Sequence, residues 1–214
     1  MKTTQKTKLI MFDYDGVLMD SNHCPMEYYA LLSKTIGTRE FRTWNECREV
    51  LEANYRDSLK KLGVTEPERM RIAHELFNNN MDMWKDLELF PKIKQVLTKL
   101  KQQGYKLAII SNNHNDIIMP DLKKHNIHDL FDHIIDSSIG LKPDTTQLIH
   151  CLKITNIYPD QAVMFDDMDG GIIAAKKAKL KKAIGVSYGY QLPERLHMAD
   201  VIINKPEEIL DVVE

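Results

Sequence analysis

An α/β fold, a doubly wound parallel sheet with one helical insertion after its first strand, is what the sequence predicts, and three observations carry that prediction. Six short apolar runs recur along the 214 residues without the alternation of a half-exposed strand, the pattern of strands covered on both faces. Helix-like stretches separate most of them, as in repeated strand-helix units. The stretch from about 23 to 85 has no such run and is rich in aromatic, Arg and Glu residues.

The first run, "LIMF" at 9–12, reads as the first strand and leads into Asp13, Asp15 and Gly16. Residues 23–85, which include "EFRTWNECREVLEANYRDSLKKLG", read as several helices interrupted at Gly37, Gly63 and Pro67. In "FPKIKQVLTKLKQQGY", Pro91 suits a first helical turn, Ile93, Val96, Leu97 and Leu100 form one apolar stripe, and Gly104 suits the stop. "LAII" at 107–110 and "HIID" at 133–136 are the next strands, followed by "KPDTTQLIHCLKIT", expected to open a helix at Pro143. "AVMF" at 162–165 precedes a third helix candidate, "GGIIAAKKAKLKK", and "AIGV" at 183–186 and "VII" at 201–203 complete the strands. The expectation is a Rossmann-like core made of 1–22 and 86–214, with 23–85 as a helical domain.

Composition narrows the function. A hydrophobic content of 43% supports a packed core, and a net charge of −2 with the signs well mixed gives no general attraction to nucleic acid or to a membrane surface. Cys24, Cys47 and Cys151 make no C-x-x-C pair and leave one thiol over if any two join, which points to a reducing cytoplasm. The opening "MKTTQKTKLIMFDYDG" has a run of only four apolar residues before an aspartate, too short for a secretory leader. No later run approaches the roughly 18 apolar residues of a membrane-spanning helix.

In open parallel sheets ligands bind beyond the carboxyl ends of the strands. The residues there are Asp13 and Asp15 after "LIMF", Ser111 and Asn112 after "LAII", Lys142 beyond "HIID", and Asp166 and Asp167 after "AVMF". Two carboxylates roughly 4 Å apart repel by about 4 kcal/mol at an effective dielectric of about 20, so four on one edge call for a dication. Hard oxygen ligands without a His or thiolate cluster favour Mg²⁺, which commonly shares itself with a substrate phosphate. Residues two apart on an extended segment face the same way and Gly16 permits a sharp turn, so Asp13 and Asp15 can both reach one reacting centre. One can attack while the other handles the leaving group's proton, with Ser111 and Lys142 holding phosphate oxygens.

The ordered set "FDYDGVLMDS", "ISNN", "GLKPD" and "FDDMDGG" followed by "AAKKA" resembles the haloacid dehalogenase superfamily, and most closely its branch with a helical cap after the first motif, which contains phosphoglycolate phosphatase and β-phosphoglucomutase. The similarity covers nearly the whole chain, including the closing "GVSYGYQLPERLHMADVIINKPEEIL". The resemblance implies a Mg²⁺-dependent phosphatase of a small phosphorylated metabolite, with Asp13 as nucleophile and Asp15 as general acid, then base. It also implies that Ser111, Asn112 and Lys142 bind phosphate, and that Mg²⁺ is held by the Asp13 carboxylate, the Asp15 carbonyl and the pair Asp166 and Asp167, with Asp167 the direct ligand. Many relatives carry a further acid or Asn four residues after the metal-binding aspartate; here that place is Gly171. A phosphomutase of a sugar phosphate would use the same motifs, and a non-catalytic phospho-acceptor module is a third reading. Dehalogenation would need neither Asp15 nor the acidic pair.

Plainer roles exist for several of these residues. Asp15-Gly16 is a common turn dipeptide, Ser111 and Asn112 could cap a helix, and lysines such as Lys142 are usually exposed. Lys176 to Lys182 reads as the solvated side of a helix, since no aromatics interleave it as in nucleic-acid binders. His114, His125, His128 and His133 lack metal-ligand spacing, and Cys24 reads as structural. Of Arg42, Trp44, Arg48, Tyr55 and Arg56 in the insert, at least one is expected to face the site.

Overall fold

Each of the six apolar runs forms a strand of one sheet in the computed structural model, which describes residues 6–214. The first five residues, where the segment read above as too short for a leader begins, lie outside the described residues. β1 (Leu9–Phe12) turns through Gly16 into β2 (Met19–Asp20), and four helices follow: α1 (His23–Ile36), α2 (Trp44–Arg48), α3 (Tyr55–Lys61) and α4 (Pro67–Asn79). β3 (Glu88–Leu89) then pairs antiparallel with β2, Met19 opposite Leu89, so both ends of the helical stretch return to one point. The rest alternates: α5 (Ile93–Gln102), β4 (Lys106–Ile110), α6 (Asn115–Lys124), β5 (His133–Ile135), α7 (Thr146–Thr155), β6 (Ala162–Asp166), α8 (Asp169–Lys177), β7 (Lys182–Val186), β8 (Val201–Ile203) and α9 (Ile209–Val212).

The large sheet has the order β5-β4-β1-β6-β7-β8 and every pairing in it is parallel. From β1 the chain builds outward through β4 and β5 on one side and through β6, β7 and β8 on the other, so the direction of winding switches between β1 and β6. That switch opens the crevice beyond their carboxyl ends where ligands bind in such folds.

Uninterrupted apolar strands are explained by cover on both faces. Ile10 and Phe12 join Ile109, Val163 and Phe165 in one buried cluster with the α5 stripe of Ile93, Val96, Leu97 and Leu100. Leu9 and Met11 turn the other way, onto Ala108, Ile110 and Met164 with Leu148 of α7 and Ile172 of α8. The Phe12 and Phe165 rings stack with centroids 5.2 Å apart, which stitches β1 to β6 just below the two acidic strand ends.

Three local expectations are corrected. The helix expected to open at Pro143 begins at Thr146, because the Asp144 carboxylate accepts the Thr146 N–H at 2.7 Å and the Asp144 N–H bonds Leu141 O, spending these residues on a turn. Pro91 stands just before α5 rather than in its first turn, with Lys92 at φ 71° as the entry residue. The basic run Lys176 to Lys182 is no helical face: α8 ends at Lys177, Lys179 turns at φ 59°, and Lys182 opens β7. All three cysteines are buried and unpaired, and no helix among the described residues is long and apolar enough to cross a membrane.

Candidate active site

The carboxyl ends of β1, β4 and β6 form the floor of a cavity of about 1050 Å³ walled on its far side by the helical insert. All seven residues singled out from the sequence, Asp13, Asp15, Ser111, Asn112, Lys142, Asp166 and Asp167, line it.

The D-Y-D segment delivers its two acids by alternation. Tyr14 is fully buried and its hydroxyl donates to Asp121 of α6 at 3.0 Å, while Asp13 and Asp15 both turn to the cavity. Asp13 Oδ1 accepts the Tyr14 N–H at 2.7 Å and pairs with Lys142 Nζ at 2.8 Å. Asp15 Oδ2 accepts from Asn113 Nδ2 at 2.6 Å, whereas its Oδ1 is shielded and has no hydrogen-bond partner among the described residues. Gly16 turns at φ 70°, and a Cβ there would lie 2.0 Å from Asp167 Oδ2. The glycine therefore serves both the turn and the approach of the acidic pair.

Lys142 is 5% exposed and bridges two strand ends, with Nζ 2.8 Å from Asp13 and 2.7 Å from Asp166. Asn112 fixes it there: its amide oxygen accepts the Lys142 N–H at 2.8 Å and its amide nitrogen donates to Lys142 O at 3.1 Å. Both of that amide's groups therefore engage the lysine's main chain. Ser111 is buried, and its hydroxyl accepts the Asn113 N–H at 3.0 Å. Asp167 Oδ2 accepts the Tyr190 N–H at 2.5 Å, while its Oδ1 is buried and unpartnered among the described residues. The lack of a side chain at Gly171 has a local cause. A Cβ on Gly171 would lie 1.8 Å from Asp166 Oδ2, so the Asp166 carboxylate occupies the space a side chain at 171 would need.

Crowding governs the protonation of these groups. Burial pushes the Asp15 carboxyl up to about 7, and the neighbouring Asp13 charge adds to it. Burial likewise raises Asp166 to about 7 against the opposing pull of Lys142, and it raises Asp167 with the charges of Asp13 and Asp166 behind it. Burial works against the Lys142 ammonium, yet the Asp13 and Asp166 carboxylates outweigh it and keep the lysine charged. Oxygens of Asp13, Asp166 and Asp167 lie within 4.8 Å of one another, all three residues buried. Three hard oxygen donors, an unpartnered Asp167 oxygen and a surplus of negative charge fit a hard divalent cation such as Mg²⁺.

Raised carboxyl pKa values mean that the native state keeps protons the unfolded chain has released between about pH 4 and pH 7. The metal-free protein therefore loses stability as pH rises through that window. Mg²⁺ competes with those protons, so the gain in Tm on adding it should be larger at about pH 8 than at about pH 5.5. Thermal melts at both values check this, and equal or absent shifts would argue against a cation at these aspartates.

A family model of haloacid dehalogenase-like hydrolases matches residues 10–185. The chain belongs to this family. Among similar proteins, a phosphoglycolate phosphatase from Psychrobacter arcticus is 30% identical over 86% of this chain and 84% of its own length. A phosphorylated carbohydrates phosphatase from Thermotoga maritima is 28% identical over 95% and 97% of the two chains. A haloacid dehalogenase-like hydrolase of known structure from Streptococcus pneumoniae shares the fold with a TM-score of 0.84 at 21% identity, covering 97% of this chain and 99% of its own.

This haloacid dehalogenase-like hydrolase has supporting residues that the motif reading passed over. Asn113 holds Asp15, and its position directly after "SN" at a strand end was the available signal. Tyr190 reaches Asp167 through its N–H and Ser21 through its hydroxyl, at 2.7 Å, from a loop that only folding brings near. Of the insert residues named as candidates, Tyr55 and Arg56 line the cavity. Arg48 instead donates to the carbonyls of Tyr190, Ser187 and Gln191, Trp44 packs edge-on against Tyr190 at 5.9 Å, and Arg42 is exposed away from the cavity lining. Cys24 donates its thiol to Met83 O at 3.0 Å, the structural role expected of it.

Proposed function

We propose that the chain is a Mg²⁺-dependent phosphatase that hydrolyses a small phosphorylated metabolite through a phosphorylated Asp13, and that it works in the cytoplasm, where its unpaired thiols stay reduced. The observation that carries the reading is the Asp13 carboxylate pinned through Oδ1 by Lys142 and the Tyr14 N–H on the cavity floor, beside the buried pair Asp166 and Asp167. With Oδ1 engaged, Oδ2 forms the bond to phosphorus as the ester P–O bond breaks. Asp15, a carboxylic acid near pH 7 by virtue of its burial, gives its proton from Oδ1 to the departing alkoxide while Asn113 steadies Oδ2. The resulting Asp15 carboxylate then takes a proton from water, whose oxygen attacks phosphorus and frees Asp13 and inorganic phosphate.

Lys142 and the Ser111 hydroxyl hold phosphoryl oxygens through both displacements, with Asn112 positioning the lysine. Asp13, Asp167 and the Asp15 carbonyl would hold Mg²⁺, with Asp166 oriented by Lys142 alongside. When bound, the ion supplies positive charge against the oxygens of the transferring group. The helical insert, residues 23–85, acts as a cap that excludes bulk water and selects the leaving group.

Phosphate release from a panel of phosphate monoesters, with Mg²⁺ and with EDTA, tests the reading. Turnover with Mg²⁺ that EDTA abolishes is expected. No release from any ester with Mg²⁺ present would overturn it.

A further inference from the structure

We infer that the cavity takes phosphate monoesters whose leaving alcohol carries an uncharged aromatic or heteroaromatic ring. The inference rests on the phosphatase reading and adds the substrate class to it.

The wall that the insert presents above the carboxylates is aromatic. Tyr28, Tyr55, Phe77 and Trp84 all line the cavity and contact one another, with centroids 4.8 Å apart for Tyr55 and Phe77, 5.2 Å for Phe77 and Trp84, and 5.6 Å for Tyr28 and Phe77. Such a wall favours a flat apolar group in offset or edge-on contact.

Several of the wall's polar atoms are already engaged. The Tyr28 and Tyr55 hydroxyls lie 3.0 and 3.1 Å from Ala73 O and within hydrogen-bond reach of each other, so their two protons are shared among these contacts. The Ser58 hydroxyl accepts the Glu52 N–H at 2.8 Å, and the Glu52 carboxylate is paired with Arg195 and Lys61. A polyhydroxylated leaving group would lose its bonds to water against the rings, and further polar groups that the insert adds to the lining, the Asn54 and Asn78 amides and the Arg56 guanidinium, are exposed. Among the shielded polar atoms that the insert contributes to the lining, one lacks a partner. His74 Nε2 is shielded and has no partner among the described residues, and its ring meets Tyr55 edge-on at 5.3 Å. Burial and the nearby Arg56 lower the pKa of His74, so the ring is neutral and offers a single donor or acceptor, suited to one heteroatom of a ring.

Charge argues against a second anion on the leaving group. Lys142 is committed to Asp13 and Asp166, and the remaining lining cations, Arg56 and Lys177, are exposed, where solvent screens them. With a divalent cation bound and Asp15 protonated, the floor of four carboxyl groups and one ammonium is formally neutral and has no surplus positive charge for a second anion. A carboxylate next to the ester would meet that floor without a buried counter-charge. A two-carbon acid would also leave most of the roughly 1050 Å³ unfilled.

The test compares initial rates with Mg²⁺ on acetyl phosphate, ethyl phosphate, phosphoglycolate, benzyl phosphate, a nucleoside 5′-monophosphate and 3-pyridylmethyl phosphate. Benzyl phosphate should exceed both ethyl phosphate and phosphoglycolate in kcat/KM by about 30-fold or more. The last two substrates distinguish a nucleobase from a pyridine as the natural ring. In Phe77→Leu, which keeps an apolar side chain but removes the ring, the ratio of benzyl to ethyl phosphate should fall about fivefold or more, with a thermal melt verifying folding. Turnover of acetyl phosphate with phosphoglycolate equal to or better than benzyl phosphate overturns this substrate class and leaves the phosphatase reading standing. An unchanged ratio in folded Phe77→Leu also overturns it. No release from any of the six substrates defeats the phosphatase reading, and this inference with it.

Discussion

Asp13→Asn abolishes turnover while the protein remains folded: kcat for Mg²⁺-dependent phosphate release falls on the order of 10⁴-fold or more, about 5 kcal/mol in the barrier. An amide oxygen retains the geometry but lacks the charge and nucleophilicity that form the bond to phosphorus. Stability should move the other way. The substitution removes one of the charges that raise Asp15, Asp166 and Asp167, so the metal-free variant should melt at or above the wild-type temperature. Steady-state kinetics and melts without metal check both halves. An active Asp13→Asn would eliminate the covalent route.

Lys142→Met gives the second large effect, and here stability and rate fall together. Methionine fills similar volume but leaves Asp13 and Asp166 without the ammonium 2.8 and 2.7 Å away. Removing one partner of a buried pair typically costs about 3–5 kcal/mol, which for a chain of this length corresponds to a drop in Tm of roughly 6–20 °C. The loss should be greater at about pH 8 than at about pH 6, since below their raised pKa values Asp15 and Asp166 can be neutral. Mg²⁺ should restore part of the stability by supplying positive charge. Activity should still fall about 10²- to 10³-fold, because a phosphoryl oxygen loses its cation. A metal-free melt within about 2 °C of wild type at the higher pH would mean that the bridge contributes little.

Legibility differed from one part of the molecule to another, for identifiable reasons. The six strands could be read because burial on both faces of a parallel sheet leaves an uninterrupted apolar run, and every run became a strand of the large sheet. The α5 stripe could be read because its four buried positions repeat at helical spacing. The start of α7 was misjudged because Pro143 suits a helical first turn as well as a loop, and the Asp144 side chain, through its bond to the Thr146 N–H, tips the balance. The basic run after α8 was misjudged because lysine is compatible with a helix end, a turn and a strand alike, and the left-handed turn at Lys179 has no marker in its residue type.

The chain's own order of residues determined which chemistry could gather at the sheet edge. A side chain that directly follows a buried strand is carried to the strand's carboxyl end, so Asp13, Ser111, Asp166 and Asp167 were destined for one rim, and the alternation in D-Y-D sent Asp15 there with Asp13. Tertiary packing alone decided how those groups are used. It spent the Asn112 amide on the Lys142 main chain, gave Asp15 to Asn113 and Asp167 to the Tyr190 N–H, pressed Asp166 into the space above Gly171, and turned the aromatic rings of the insert into a cavity wall. These contacts join residues far apart in the chain, and their distances depend on how helices and loops stack, information that local spacing does not contain.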